Sequence, residues 1–218
     1  MENRLSRRKF LNTAVAAAAL AAIPFNYGFT RISAVAKDAK PNSKFGGVQI
    51  GAITYSWRSM PSTPKDIIGY CLQAGISDLE LMSNVAEDYL GLPQGPARPA
   101  RDVVQTKEQK EKYEKELADA TEAQRKWRLS VPMQKYTDLR KLFNDAGINI
   151  HIVKFSPANW TDEEIDYAFN AAKAMGAIGV TNEIGDEACK RLGPFAEKHK
   201  NVCHFPSAHA TCRTGMEL

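Results

Sequence analysis

Cysteine is scarce and poorly spaced for chemistry. The chain has four in 218 residues, and none falls in the close pairs that mark zinc ribbons or dithiol redox centres. Cys71 and Cys189 sit in helical patterns as small apolar residues, while Cys203 and Cys212 lie in the C-terminal stretch without a convincing pairing. Long hydrophobic runs are missing too: Ala14–Ile23 is too short to span a bilayer permanently. Nor is there a surplus of one charge. Five of the 29 basic residues and one of the 25 acidic ones fall within residues 1–36, which leaves 24 of each in the remainder. A balanced domain lacks the basic face that nucleic-acid binding normally requires. Finally, Tyr55-Ser56-Trp57-Arg58-Ser59 follows the first predicted strand without the glycines that cradle a dinucleotide, which argues against a Rossmann-type site.

What is present begins at the N-terminus. Ser6-Arg7-Arg8-Lys9-Phe10-Leu11 precedes the short apolar run, and Ala34-Val35-Ala36 supplies small residues at a signal-peptidase spacing. Paired arginines followed by Phe-Leu resemble the twin-arginine export motif. That resemblance implies handling by the twin-arginine export machinery, a periplasmic or extracellular mature protein and no stable membrane span. An ordinary secretory signal or an uncleaved anchor is the alternative. Residues 1–36 are read as signal peptide, 37–46 as linker and 47–218 as the folded domain.

Within that domain, strand and helix patterns alternate. Val48–Trp57 is β-branched and aromatic and predicts a strand. Thr63-Pro64 opens a helix that stops at Gly75. Ile76–Ser83 predicts a second strand, followed by a Pro/Gly-bearing excursion at Leu90–Arg101 and a long charged helix at Thr106–Leu129, read as a solvated face. Val131–Ala146 predicts a helix, Ile148–Phe155 a third strand, and Thr161-Asp162-Glu163-Glu164 a capping box. Ala177–Ile184 predicts a fourth strand and Asp186–His199 a helix. Ala74-Gly75-Ile76, Ala146-Gly147-Ile148 and Met175-Gly176-Ala177 repeat one helix-to-strand corner. Repeated βαβ units of this kind predict a parallel sheet; an open sheet and a barrel both remain compatible with the corners.

Several stretches taken in order carry a family likeness. Gly51-Ala52-Ile53-Thr54-Tyr55-Ser56, Leu79-Glu80-Leu81-Met82-Ser83, Lys126-Trp127-Arg128-Leu129-Ser130, Ile152-Val153-Lys154-Phe155 and Thr181-Asn182-Glu183-Ile184 together resemble the sugar phosphate isomerase/epimerase group of the xylose-isomerase-like TIM barrels. The likeness runs from about Gly47 to Lys200. It implies an α/β fold: a TIM (β/α)8-type barrel, here incomplete at about the first four to five βα units, with a long helical insert after strand 2. It also implies metal-assisted proton transfer on a carbohydrate, a divalent cation (Mn, Mg or Zn) polarising the carbonyl while a carboxylate moves the proton. Such families take their metal ligands mainly from strands five to eight, so this chain is not expected to hold the cation and no metal ligand is assigned. A catalytically inactive fragment and a periplasmic carbohydrate-binding protein are the alternatives.

Function in such barrels sits at the C-terminal ends of the strands. Glu80, Lys154 and Glu183 are the candidate catalytic residues, and Tyr55, Trp57 and Asn182 the candidate substrate-binding residues. Glu80 is either a pocket carboxylate or the partner of an interior cation. Lys154 either meets Glu80 or Glu183 or holds a sugar oxygen. Tyr55 and Trp57 either wall a sugar face or pack in the core. His151 reads as a satisfied buried histidine. A fifth strand is due near Asn201, but proline, serine and two histidines there suit a buried strand badly. Residues 201–218 are therefore expected to be an aberrant tail, from a single-base frameshift that truncates a longer reading frame near Lys200. Half a barrel would leave unpaired sheet edges open to aggregation.

Overall fold

The structure, a computed structural model, describes residues 40–100, 102–182, 185–204 and 211–212, with backbone alone at His204, Thr211 and Cys212. The signal segment and Glu183 lie outside the described residues.

The predicted first strand, Val48–Trp57, is broken into two short strands and a 3₁₀ turn. Lys44–Phe45 (β1) and Val48–Gln49 (β2) pair antiparallel, because Gly46 and Gly47 adopt φ of 55° and 86° and close a two-residue turn that side chains with a Cβ would disfavour. Only Ala52–Ile53 (β3) enters the main sheet. Thr54–Trp57 then winds into a 3₁₀ turn, with the Thr54 hydroxyl accepting a hydrogen bond from the Met82 amide at 2.9 Å.

From there the chain alternates. Pro64–Ala74 (α1) is started by a Thr63/Asp66 capping box and ended by Gly75 in the left-handed region. Asp78–Met82 (β4) runs straight into Ser83–Leu90 (α2), a helix absent from the sequence reading. Lys107–Ser130 (α3) is the expected long helix; no residue along it is fully buried. Met133–Asp145 (α4), Asn149–Lys154 (β5), Asp162–Ala174 (α5), Gly179–Thr181 (β6) and Asp186–His199 (α6) follow. The C-terminal stretch then does form a fifth parallel strand, Val202–His204 (β7), because Val202 and Cys203 supply enough apolar alternation for three ladder positions. Thr211–Cys212 (β8) returns antiparallel to it.

Strand order decides the architecture. β3 to β7 lie side by side in chain order and all parallel. A doubly wound sheet reverses direction from its first strand; an arc of a (β/α) barrel does not. The fold is an incomplete TIM-type barrel, a five-strand parallel arc with a helical insert after its second strand and no closure among the described residues.

Register divides the two faces. Leu81, Val153, Val180 and Cys203 stand opposite one another, each fully buried beneath the helices. One residue earlier, Ile53, Glu80, Ile152, Gly179 and Val202 form a row on the other, concave face. One residue later, Met82, Lys154 and Thr181 form a second concave row.

An ionic clasp joins α5 to α6. Lys198 Nζ donates to both Asp166 oxygens at 2.8 and 2.6 Å, and His199 Nε2 lies 2.7 Å from Oδ1. Burial alone would raise the Asp166 carboxyl pKa, but the hydrogen bonds and charges of Lys198 and His199 outweigh it and hold the group below its ordinary value. The unfolded chain therefore takes up this proton first as pH falls. The stabilisation is complete above the unfolded-state pKa of about 3.9 and is lost as pH drops through the lower folded value. Asp166→Asn should be less stable than the parent near neutral pH by roughly 1 kcal/mol or less, since the pair is partly solvated. Urea unfolding should show that gap closing as pH falls through the lowered folded-state pKa.

Candidate functional site

The concave face carries the chemistry-bearing side chains. Glu80 stands in the first concave row between Ile53 and Ile152, so its neighbours across both ladders are apolar. It is half-buried and makes no hydrogen bond or ion pair among the described residues. The interior cation considered as a partner for it is not seen among those residues. Glu80 lines a cleft of about 640 Å³ with Ala52, Asp78, Asn149 and His151. His151 is not the satisfied buried residue expected. Its side chain is 43% exposed, with Nδ1 3.6 Å from Asp78 Oδ2, while Asn149 donates to Asp78 Oδ1 at 2.7 Å. A register shift between Leu79 and Glu80 leaves His151 without a partner on β4, which turns it into the cleft.

Towards the C-terminal strand ends, Lys154 lies opposite Met82 on one side and Thr181 on the other. It is one row beyond Glu80 on the same face, so the two are diagonal neighbours. Asn182, at the end of β6, is buried, and its Oδ1 accepts the Ala158 amide at 3.1 Å. That bond fixes the loop after β5, where Ser156 takes a φ of 53°, a region costly for a residue with a Cβ. Asn182 borders a cleft of about 490 Å³ with Asn159, Gly185 and Arg191.

The two aromatic candidates are parted. Tyr55 is 53% exposed, with the Arg58 guanidinium 4.8 Å from its ring centroid, and it lines a strand-end cleft of about 280 Å³ with Ser62, Met82 and Asn84. Trp57 packs against Tyr70 on α1 at 5.7 Å. The 3₁₀ turn, which replaces the predicted strand, is what separates them. A strand would have put both rings on one face.

One polar constellation escaped the sequence reading altogether. Arg128, in the last turn of α3, meets Glu87 at 2.8 Å and Glu164 at 3.2 Å and lies 4.0 Å over the Trp160 ring. Tyr167 donates to Glu87 at 2.9 Å and shares a short hydrogen bond with Tyr136. Desolvation works against the Arg128 charge, but the hydrogen bond and charge of Glu87, then Glu164, prevail and raise its pKa. Burial, first of all, also raises both tyrosines. This network lies on the helix side and anchors the insert; the signal for it was the pair Trp127-Arg128 at the end of an otherwise charged helix.

Donor chemistry gives a plain result for a metal. Among the described residues no three His, Cys, Asp or Glu side chains converge to hold an ion, so these residues do not by themselves build a divalent-cation cage. Among them also, no helix is long and apolar enough to cross a membrane.

Comparison with known proteins gives structural likenesses. No family model and no curated protein matches the sequence. Among solved structures, an uncharacterized protein from Parabacteroides distasonis ATCC 8503 is similar at 17% identity and a TM-score of 0.44. The probable 3-DHS dehydratase AsbF involved in petrobactin synthesis from Bacillus anthracis is similar at 12% and 0.43. Tryptophan synthase from M. tuberculosis follows at 14% and 0.35. Each likeness covers 72% of this chain, which spans about half the length of those proteins: 52%, 52% and 55%. The architecture stands on strand order, independently of these scores.

Proposed function

We propose that this chain carries the first βα units of a carbohydrate-acting barrel of the isomerase/epimerase type, exported through a twin-arginine signal. The observation that carries the reading is Glu80: a carboxylate without a protein partner among the described residues, held between apolar neighbours and bordering an open cleft that extends towards the N-terminal ends of β4 and β5. A carboxylate so placed has no fold-stabilising partner to lose and is free to take a proton from a bound sugar carbon. Lys154 would hold a substrate oxygen beside it, and Glu183 would be a second carboxylate at the end of β6. Tyr55 and Asn182 would contact substrate from the two strand-end clefts, and Trp57 would support that wall from α1. The cation expected for the full-length family would supply carbonyl polarisation and is assigned to barrel units other than those described.

Proton exchange tests this reading. The chain is incubated in D₂O with aldoses and ketoses, and exchange of the carbon-bound proton next to the carbonyl is followed by NMR. Glu80→Gln should lower the exchange rate by at least about 100-fold while changing unfolding stability by less than about 0.5 kcal/mol. Equal exchange rates in the two proteins would remove Glu80 from the chemistry. Sugar binding with no exchange in either would leave a carbohydrate-binding protein without turnover.

A further inference from the structure

Thr181, the last residue of β6, stands beside this site. Among the described residues two buried side-chain polar atoms have no hydrogen-bond partner, Arg125 Nε and Thr181 Oγ1. Arg125 has further donors on the same guanidinium, one of them 3.7 Å from Glu122. Thr181 has only its single hydroxyl, and the residue is 3% exposed. Buried hydroxyls are almost always paired, since leaving one unpaired forfeits its hydration without replacement. Position gives the orphan a meaning. Thr181 stands directly opposite Lys154 in the β5–β6 ladder and shares its concave row, at the C-terminal strand ends where barrels of this architecture bind their ligands. Glu80 lies on the same face one row below and one strand beyond Lys154.

We propose that the Thr181 hydroxyl is a ligand-binding group, completed by a hydroxyl or carbonyl oxygen of a sugar held between Thr181 and Lys154 with the neighbouring carbon towards Glu80. This deepens the carbohydrate reading above and rests on it. The juxtaposition also names the ligand's chemistry: two adjacent oxygenated carbons. One oxygen meets a hydroxyl and an ammonium; the next position faces a carboxylate that accepts a hydrogen bond or a proton.

Thr181→Val separates a binding role from a structural one, because valine keeps the shape and removes only the oxygen. Binding of D-xylose, D-fructose and fructose 6-phosphate to the full chain is measured by calorimetry, and thermal unfolding is recorded without sugar. The expected result is a roughly tenfold weaker Kd for the sugar that binds, with a Tm equal to or above that of the parent, since an unpaired polar atom has been removed. Unchanged affinity in Thr181→Val would overturn the inference, and would leave the reading of Glu80 standing if Glu80→Gln still abolishes proton exchange. A Tm lowered by more than about 3 °C would also overturn it, by showing that the hydroxyl is satisfied within the fold. No binding of any of the three sugars by the parent chain would overturn both.

Discussion

Arg128→Met should cost about 3–5 kcal/mol of unfolding free energy, a large part of what a domain of ordinary stability has. The side chains of Arg128, Glu87 and Glu164 are 10%, 3% and 9% exposed. Removing the guanidinium leaves two carboxylates close together in a poorly hydrated site, with the Tyr167 hydroxyl as Glu87's remaining donor. Glu164 has a second duty, because it also closes the capping box at Thr161, so its rearrangement loosens the start of α5. Arg128→Lys should fall between, since an ammonium keeps the charge but not the fork that reaches both acids. Adding Glu87→Met to Arg128→Met should recover part of the loss, because the fewer buried charges are left unpaired, the smaller the penalty. Urea denaturation of the set checks this. A loss below about 1 kcal/mol for Arg128→Met would mean that the clasp between α3 and the arc does not form.

Phe169→Ala should cost a comparable amount, about 3–5 kcal/mol. Phe169 is fully buried on α5, and its ring stacks on His199 with centroids 5.5 Å apart and planes 5° from parallel. Truncation leaves a cavity and also removes the surface that holds the His199 ring over Asp166. The α5–α6 clasp should weaken with it, so the acid sensitivity of Phe169→Ala should be shallower than that of the parent. Phe169→Leu fills most of the volume and should lose only about 1 kcal/mol. Equilibrium unfolding at neutral and acid pH reads both effects.

Local chemistry made much of this fold legible. The capping box at Thr161 and Glu164 is present as its spacing predicts, Asp186–His199 is helical over the predicted span, and Gly75, Gly147 and Gly176 all take positive φ at their corners. Each of these signals is confined to a few consecutive residues. The misread stretch, Val48–Trp57, has the composition of a strand, but composition says nothing of a partner. Two left-handed glycines fold its front into a hairpin, and the Thr54–Met82 bond turns its end into a 3₁₀ helix. α2 was missed because Met82 offers no side-chain cap to announce it. Of the site, Glu80 could be found because an acid among leucines demands a reason. Thr181 could not, because threonine is an ordinary strand residue and an unpaired hydroxyl is a property of its surroundings. Arg128 was hidden in a helix whose other charges do face water.

β8 has a consequence for how the molecule meets its own kind. Lying antiparallel along β7, it occupies amide and carbonyl positions that a foreign strand would otherwise use at that margin. The opposite margin, β3, is two residues long, too brief a template for a stranger to register upon. Both rims of the arc are therefore short, and each leaves an incoming strand few backbone positions to pair with.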